Sequence, residues 1–444
     1  MNKTPRKIRT VSLTTVGCKL NQSETDAIQN KFAENGYSVK PFGEDVDLTI
    51  INTCTVTNAA DADSRAVIRL ARRHAPQARI VVTGCYAQIS PAAIEKIPGV
   101  DLILGNNEKY SIFDYLDHLE NTKPNTPLVR VNNDVACNND TNQGFIATTS
   151  RTRAFLKIQE GCDYFCSYCI VPFARGLPRS RSFKDTLAEA KKLASQGYQE
   201  IVLTGVNIGT YSFNEHKPLA LTDLLDAMQS INGLKRIRIS SLEPNTITTD
   251  LLKLMRDSTV ICRHLHVPLQ SACNKQLRAM NRKYLIEDYQ RLLDQIVDIL
   301  PGSALGTDII VGFPGETDHD FETTLNFVHS APFTYLHVFR YSKRDSTASS
   351  SLKDRVDPAT AKKRSQTLIE TGRMHKLGYL KKHMGSLLHV LFDQRKKDQY
   401  SGYSTNYIQV LVDSKTDIRK QIRSVRLIGI NEKGVGLAEL IDIG

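Results

Sequence analysis

The sequence lacks any apolar run long enough to cross a membrane. A transmembrane helix needs about 20 predominantly apolar residues, and the runs here are far shorter. The basic stretch 1–10 is not followed by the apolar segment of a secretory signal, so we expect a cytoplasmic protein with no membrane partner. A disulfide framework is not expected either, because the nine cysteines are odd in number and no export signal accompanies them. These absences favour metal ligation or redox chemistry for any cysteines that cluster.

The composition is that of a folded globular protein, and the length of 444 residues predicts two or three domains. Lysine and arginine exceed aspartate and glutamate by 58 − 47 = 11. This excess favours a polyanionic partner such as nucleic acid. A basic surface without a dedicated partner gives the same balance, so charge alone does not decide between the two.

An α/β pattern fills the first part of the chain. Residues 1–120 alternate apolar strand candidates with helices, which predicts a parallel sheet covered by helices. The strand candidates are 9–17, 46–53, 78–84 and 100–105. Residues 121–150 are rich in asparagine and threonine and lose the pattern, so they are predicted to form a linker.

Residues 151–382 resume the alternation with six strand candidates, which predicts a partial (β/α)6 barrel. These candidates are 153–159, 200–205, 236–241, 264–269, 304–312 and 335–340. A basic helix at 357–382 closes this part. Residues 383–444 change to short alternating segments between turns, which predicts a small antiparallel β-barrel.

Three cysteines of the first domain, Cys18, Cys54 and Cys85, each follow a predicted strand. The carboxyl ends of parallel strands lie at one edge of a sheet, so the three thiols are expected to converge there. Three unrelated strand-end cysteines are the alternative. Because their positions are equivalent, we predict a three-thiolate metal site.

A second set follows the first barrel strand, in the stretch EGCDYFCSYCIVPFARG. Cys162, Cys166 and Cys169 have a C-x3-C-x2-C spacing, which suits an iron–sulfur cluster or zinc. No fourth cysteine or histidine lies nearby, and three protein ligands leave one metal position open to a reactant, as in catalytic sites. Tyr168 offers an aromatic face beside the cluster, although ordinary packing explains it equally. The isolated Cys137, Cys262 and Cys273 are predicted to be buried or inert thiols.

With an aromatic residue before its last cysteine, the motif resembles the radical S-adenosylmethionine (SAM) superfamily. Further stretches resemble the methylthiotransferases within it, and the tail is similar to the RNA-binding TRAM module. The stretches are VGCKLNQSET, INTCTVT, VTGCYAQ, PFARGLPRSR, LTGVNIG, SSLEP, HLHVPLQSACNKQLRAMNRKY, GTDIIVGFPGET and HVFRYSKRDST. The chain departs from the family at QSACN, where members often read QSGS, and at YSKRDST, where they often read YSxRxGT. Neither departure removes a cluster ligand.

The resemblance implies an enzyme with two 4Fe–4S clusters and SAM. The cluster on Cys162, Cys166 and Cys169 would bind SAM at its open iron and cleave it to a 5′-deoxyadenosyl radical. The cluster on the other three cysteines would carry the sulfur that is transferred. An electron donor such as flavodoxin or ferredoxin is implied, and a monomer is expected.

The stretches GCKLN, LTGVNIG and SSLEP are similar to one branch of the family. That branch adds a methylthio group to C2 of N6-threonylcarbamoyladenosine at position 37 of tRNA, next to the anticodon. Other branches modify isopentenyladenosine in tRNA or an aspartate of a ribosomal protein, and both remain alternatives. A non-enzymatic alternative is a metal-stabilised RNA-binding protein, which predicts four-ligand sites that neither cysteine set offers.

Candidate cofactor and RNA contacts lie at strand ends and after the cysteine loop. For SAM we predict Tyr168, Thr204, Gly205, Glu243, Gln270, Ser271, Arg278, Ile310 and Gly312. For RNA we predict Arg175, Arg179 and Arg181, with the basic helix and the β-barrel as further phosphate-binding surface and Tyr403 or Tyr407 as stacking residues. Turn geometry, core packing and salt bridges are the competing explanations for these residues.

Overall fold

A computed structural model describes residues 7–122, 126–132, 152–214 and 218–441. Among these residues, no helix combines the length and the apolar character that crossing a bilayer requires. Most of the predicted linker, including Cys137, lies outside the described residues.

The first unit is a six-stranded sheet in which every pair is parallel, in the order β2-β1-β3-β4-β5-β6. Its strands are β1 (Thr10–Thr15), β2 (Ser38–Lys40), β3 (Leu48–Thr53), β4 (Arg79–Gly84), β5 (Leu102–Leu104) and β6 (Leu128–Arg130). Its helices are α1 (Lys19–Glu34), α2 (Asn58–His74), α3 (Cys85–Ile89), α4 (Pro91–Glu95) and α5 (Leu116–Asn121), with a 3₁₀ segment at Glu108–Tyr115. Helices cover both faces, so β3 is buried at every position.

The four predicted strands of this sheet are confirmed, and two short edge strands were missed. One of them, β6, lies inside the predicted linker and pairs with β5. The sheet therefore extends beyond residue 120, which corrects that part of the linker prediction.

The second unit is a partial barrel built from two parallel sheets, β7-β10-β13 and β14-β15-β16. Its strands are β7 (Ala154–Lys157), β8 (Gln159–Glu160), β9 (Arg179–Ser180), β10 (Glu200–Thr204), β11 (Ser212–Asn214), β12 (Pro218–Ala220), β13 (Arg236–Ile239), β14 (His264–His266), β15 (Ala304–Val311) and β16 (Tyr335–Arg340). Its helices are α6 (Val171–Arg175), α7 (Phe183–Ser195), α8 (Leu221–Gln229), α9 (Thr249–Asp257), α10 (Asn274–Ala279), α11 (Ile286–Ile299), α12 (Asp318–Ser330) and α13 (Pro358–Lys382), with 3₁₀ segments at Ile208–Thr210, Pro244–Thr246 and Ala348–Ser351.

All six predicted barrel strands are confirmed. A bridge between Ile237 and Ile261 links the two sheets. The apolar core lies between the strands and the surrounding helices, where Leu203, Leu265 and Ile309 pack. Side chains alternate along a strand, so the opposite faces of the same strands line the inside of the barrel.

The third unit is a closed five-stranded barrel in the order β17-β18-β19-β21-β20. Its strands are β17 (Leu387–Lys396), β18 (Gln399–Ser404), β19 (Gln409–Asp413), β20 (Ile422–Ile430) and β21 (Gly436–Leu440). The pairing of β19 with β21 is parallel and the other pairs are antiparallel. The predicted small barrel is thus present, and its one parallel pair is a correction to the antiparallel expectation.

Candidate active site

The first cysteine set lies at one edge of the six-stranded sheet. Cys18 and Cys54 follow β1 and β3, and Cys85 begins α3 directly after β4. Gly17 has φ of 106°, and a β-carbon at this position would lie 2.8 Å from the Cys54 sulfur. Burial, and then the nearby Cys85 and Cys18 thiols, raise the pKa of Cys54 to about 12. The three thiols therefore share one space, and a bound metal would stabilise their thiolates.

The second cysteine set lies in the loop between β8 and α6. The Cys169 amide donates to the Cys166 carbonyl at 2.9 Å, and the Tyr164 amide lies 3.5 Å from the Cys162 sulfur. Burial, and then Cys166, raise the pKa of Cys169 to about 12. Three soft donors held this closely suit an iron–sulfur cluster with one open position.

Arg282 organises the second set, and the sequence analysis missed it. Its guanidinium lies 3.2 Å from the Cys166 sulfur and 3.4 Å from the Tyr168 hydroxyl, and it pairs with Glu243. The Tyr168 ring also packs in one cluster with Ile310. Three of the predicted SAM residues, Tyr168, Glu243 and Ile310, are thereby brought to the cysteine loop.

Two further predicted positions shape the loop after β10. Thr204 is buried at the end of that strand. A β-carbon at Gly205 would lie 2.7 Å from the Gln159 carbonyl oxygen, so only glycine allows this approach. The Gln159 side chain accepts hydrogen bonds from the amides of Val206 and Asn207, at 3.0 and 2.8 Å. Thr204 and Gly205 therefore sit beside the strand that leads into the cysteine loop.

The remaining predicted SAM residues differ in placement. Gln270 has φ of 64° and bridges to Ile309 on the neighbouring strand. The Ser271 hydroxyl lies 3.2 Å from the Thr324 hydroxyl on α12, so it faces a helix.

Gly312 and Arg278 do not face the inside of the barrel. A β-carbon at Gly312 would lie 2.8 Å from Ala361 on α13. Arg278 is exposed on α10, whereas Arg282 lies beyond the end of that helix. The geometry supports Arg282 in the position that we predicted for Arg278.

A buried ion-pair network joins the two cysteine sets. Arg175, at the end of α6, donates to the Glu24 carboxylate at 2.8 and 3.1 Å and to Glu160 at 2.7 Å. Lys109 and Lys157 lie 2.7 and 3.1 Å from Glu24. Burial alone would raise the pKa of Glu24, but these three cations hold it well below its usual range. The network fixes the second unit against the first.

Arg175 also reaches the first cysteine set. It donates to the Asn21 side-chain oxygen at 2.6 Å, and that oxygen lies 3.8 Å from the Cys18 sulfur. The Asn106 side chain links Cys85, at 3.8 Å, with the Ala174 carbonyl, at 2.7 Å. The short helix that follows one cysteine set is thus bound to the other.

The predicted RNA contact is not supported for Arg175, because its side chain is 2% exposed and fully engaged in this network. Arg179 lies 3.7 Å from Glu160 and is largely covered. Arg181 is buried, which lowers its pKa, and Glu189 and Asp185 oppose that shift. Salt bridging, the competing explanation, describes Arg175 and Arg179 better than a free phosphate-binding surface does.

An exposed apolar rim surrounds the cysteine loops and has no counterpart in the sequence analysis. Phe165 and Phe173 are 47% and 41% exposed and contact each other edge-to-face at 6.2 Å between ring centres. Val56 and Leu177 are exposed in the loops that follow Cys54 and α6. Runs of one or two apolar residues in loops have no periodicity, so no sequence pattern marks them.

The third unit docks under the barrel. Arg236 donates to the carbonyls of Tyr403 and His389, at 3.0 and 2.6 Å, and Arg238 donates to that of Ser404 at 3.0 Å. The ring of Tyr407 stacks on His264 at 4.2 Å. Since this face of Tyr407 is occupied, the prediction that it stacks on RNA is not supported there.

The inside of the barrel, here called the lumen, carries positive charge. Arg236 and Arg238 pair with Glu200, at 3.4 and 2.9 Å. Lys19 begins α1, which packs against β7 at the edge of the barrel. Water reaches the Lys19 side chain, but protein surrounds it on most sides. This burial, and then Arg153 and Arg238, lower the pKa of Lys19 to about 8. The lumen lies between the cysteine loops and the third unit.

Two family descriptions match the chain. The Radical SAM superfamily matches residues 156–328, which contain the second cysteine set. A family described as "Uncharacterized protein family UPF0004" matches residues 10–105, which contain the first.

Similar curated proteins cover almost the whole chain. The threonylcarbamoyladenosine tRNA methylthiotransferase MtaB of Bacillus subtilis is 40% identical over 94% of this chain and 94% of its own length. The protein of the same name from Aquifex aeolicus is 36% identical, over 93% and 99%. A tRNA-2-methylthio-N(6)-dimethylallyladenosine synthase of Acetivibrio thermocellus is 35% identical, over 81% and 75%.

Solved structures share the fold. The radical SAM methyltransferase TsrM from Kitasatospora setae, with cobalamin and a [4Fe-4S] cluster bound, matches with a TM-score of 0.56 at 16% identity, over 77% of each chain. That likeness concerns the fold alone, whereas the full-length relatives at 36% and 40% identity establish the family. This chain belongs to the radical SAM methylthiotransferase family.

Proposed function

We propose that the protein transfers a methylthio group to C2 of N6-threonylcarbamoyladenosine at position 37 of tRNA. The observation that carries the proposal is the direct linkage of two three-cysteine sets through Arg175, which bonds Glu24 and Asn21 beside one set and ends the helix that follows the other. A reaction that needs two metal centres at one substrate requires such a fixed arrangement. The names of the full-length relatives support this nucleoside as the substrate.

The roles of the cysteines follow from their surroundings. As a member of its family, the protein uses SAM and 4Fe–4S clusters. We assign one cluster to Cys162, Cys166 and Cys169 and the other to Cys18, Cys54 and Cys85. When bound, the first supplies the radical chemistry with SAM, and the second supplies the sulfur.

The protein's own residues position these groups. Arg282 holds Glu243 beside Cys166, where the Glu243 carboxylate can accept a hydrogen bond from SAM. Tyr168 and Ile310 close the apolar side of this site and exclude water. Thr204, Gly205 and Gln270 remain candidate SAM neighbours at the strand ends.

The RNA surface that we propose is the apolar rim with the exposed part of α13. Unpaired bases of a tRNA loop stack on aromatic rings such as Phe165 and Phe173. Lys362, Lys363, Lys381 and Lys382 are exposed on α13 and suit phosphate contacts, whereas Arg364 is buried against Glu316. We place the reaction in the cytoplasm, with a monomeric enzyme and a flavodoxin- or ferredoxin-type electron donor.

Mass spectrometry of tRNA nucleosides tests the proposal. Cells that lack their own methylthiotransferase are complemented with this protein, its Cys18→Ser variant or the matched Cys273→Ser variant, whose thiol bonds Asp320 at 3.2 Å. The methylthio derivative of threonylcarbamoyladenosine should return with the unchanged protein and Cys273→Ser only. A methylthio group on dimethylallyladenosine instead would contradict the proposed substrate. If no tRNA nucleoside carries the group, the ribosomal protein becomes the next substrate to test.

A further inference from the structure

The lumen contains a hydrogen-bonded group of two histidines and one aspartate. The Asp308 carboxylate lies 2.9 Å from His266 Nε2 and 3.2 Å from His337 Nδ1. The Tyr335 hydroxyl lies 3.0 Å from His266 Nδ1 and fixes the orientation of that ring. The His266 and His337 rings stack at 5.1 Å. Each imidazole is therefore held in one orientation.

This group lies close to the second cysteine set. Asp308 precedes Ile310 by two positions on β15, so the two side chains share a face about 7 Å apart along the strand. Ile310 packs with Tyr168 of the cysteine loop. A substituent of a base placed at that loop can therefore extend to Asp308 and its partners.

His337 offers a free edge to the lumen. Its Nδ1 faces Asp308, and its side chain is 54% exposed on the edge strand β16. The two nitrogens lie on different edges of the ring, so Nε2 points away from Asp308. Asp308 holds Nδ1–H, and when both ring nitrogens carry a proton, Nε2–H is left to donate to a ligand.

Lys19 begins α1, which packs against β7, and β7 and β16 are the two outer strands of the open barrel. Both Lys19 and His337 lower the pKa of the buried His264, after its burial and the effects of Arg238 and His266. Glu200 is paired with Arg236 and Arg238. Arg153 is paired with Asp393 at 3.0 Å.

Within the part of the chain that the structure describes, no carboxylate forms an ion pair with the Lys19 ammonium. Among the charged neighbours of Lys19, Arg153 and Arg238 outnumber Glu200. The other carboxylate of the lumen, Asp308, is bonded by His266 and His337. The space is therefore suited to an anionic group that arrives with the substrate.

We propose that the lumen is a carboxylate-binding subsite in which the Lys19 ammonium and the His337 Nε2 hold the threonyl carboxylate of N6-threonylcarbamoyladenosine. The inference rests on the proposed function and names the part of the substrate that is recognised. The threonylcarbamoyl group carries a carboxylate, whereas the dimethylallyl group is apolar. A cation without a partner in a partly enclosed space discriminates between these two groups.

The test uses the full-length enzyme with both clusters reconstituted. The substrates are one anticodon stem-loop RNA that contains threonylcarbamoyladenosine, the same RNA with that carboxylate as its methyl ester, and the same RNA with dimethylallyladenosine. The variants are Lys19→Met, Lys19→Arg and His337→Ala. Lys31→Met is the matched control, since Lys31 is exposed near the other end of α1. Iron content and SAM cleavage without RNA are measured for each protein.

Lys19→Met and His337→Ala should each lower kcat/KM for the acidic RNA by about 10- to 100-fold. Lys19→Arg should retain most of the activity, and Lys31→Met all of it. On the methyl ester, which lacks the negative charge, the variants and the unchanged enzyme should have similar kcat/KM values.

Four results overturn the proposal. Equal losses on the acid and the ester would make Lys19 and His337 general supports of the fold or clusters. An additional bound metal that is lost in His337→Ala would make the histidine and aspartate group a metal site instead, since its donor atoms lie within 4.8 Å of one another. If the unchanged enzyme modifies the methyl ester RNA as well as it modifies the acidic RNA, the proposed function stands and the subsite fails. Modification of the dimethylallyl RNA alone would contradict both the proposed function and the subsite.

Discussion

Arg175 donates from both terminal nitrogens to the carboxylate of Glu24, across the contact between the α/β unit and the barrel. Both side chains are buried, and each belongs to an element that borders a cysteine set. A buried ion pair with several hydrogen bonds is weak evidence for added stability, but removal of one partner is strongly destabilising. The pair therefore sets the relative position of the two cysteine sets.

Glu24→Gln should lower the stability of the folded protein by about 3–5 kcal/mol, because it leaves Arg175, Lys109 and Lys157 without their common counter-charge. Calorimetry of the cluster-loaded protein would show this as a Tm lower by several degrees. Glu34→Gln is the matched control, since Glu34 is exposed at the end of the same helix. An unchanged Tm for Glu24→Gln would contradict the structural role of the network.

Iron analysis separates the two cysteine sets. The unchanged protein, reconstituted without oxygen, should bind about eight iron atoms per chain, as two 4Fe–4S clusters require. Replacement of Cys18, Cys54 and Cys85 by serine should leave about four, and so should replacement of Cys162, Cys166 and Cys169. Cys273→Ser should change nothing. Loss of all iron from either triple variant would mean that the two sites do not assemble independently.

The apolar rim predicts a specific loss of RNA affinity. Phe165→Ala and Phe173→Ala should each weaken binding of an anticodon stem-loop by about 1–3 kcal/mol, if each ring stacks on one base. Fluorescence anisotropy measures this, with iron content as a check on the cluster. Val297→Ala removes a similarly exposed apolar side chain from α11 and should have no effect. Equal affinities for all four proteins would place the RNA elsewhere.

The exposed lysines at the end of α13 predict a salt-dependent effect. Lys381→Gln combined with Lys382→Gln should weaken binding of modified and unmodified RNA alike. The slope of log affinity against log salt should fall by about 0.7–0.9 for each phosphate contact that is lost. Lys191→Gln with Lys192→Gln on α7 is the control pair. A slope that does not differ between the two double variants would exclude this end of α13 from the interface.

The sequence predicted the strands that carry the cysteines well, because long apolar segments after turn residues mark buried parallel strands. The convergence of Cys18, Cys54 and Cys85 followed from that pattern, since strand ends in a parallel sheet share an edge. Among the strands that were missed are β2, β6 and β18. The first two are edge strands of three residues and the third is rich in serine, tyrosine and glycine, so none has a continuous apolar pattern.

Side-chain partners across the units were beyond prediction. The sequence indicates a surface cation at Arg175, because its partner Glu24 lies 151 positions earlier in the chain. Arg278 lies in α10 and Arg282 lies four residues later, beyond the end of that helix, and the sequence did not indicate which of them turns toward Cys166. Lys19 and His337 border the same lumen because α1 packs against β7 and β16 is the outer strand at the other end of the barrel.

One reaction tests most directly whether the two cluster sites act together on the threonylcarbamoyl nucleoside. The reconstituted enzyme is incubated with SAM, a reductant and the stem-loop RNA, and the nucleosides are measured by mass spectrometry. We predict the 2-methylthio product with the unchanged enzyme, and none with either triple cysteine variant even though each retains its other cluster. Product formation by the variant that lacks Cys18, Cys54 and Cys85, or methylthiolation of the dimethylallyl RNA only, would contradict the account.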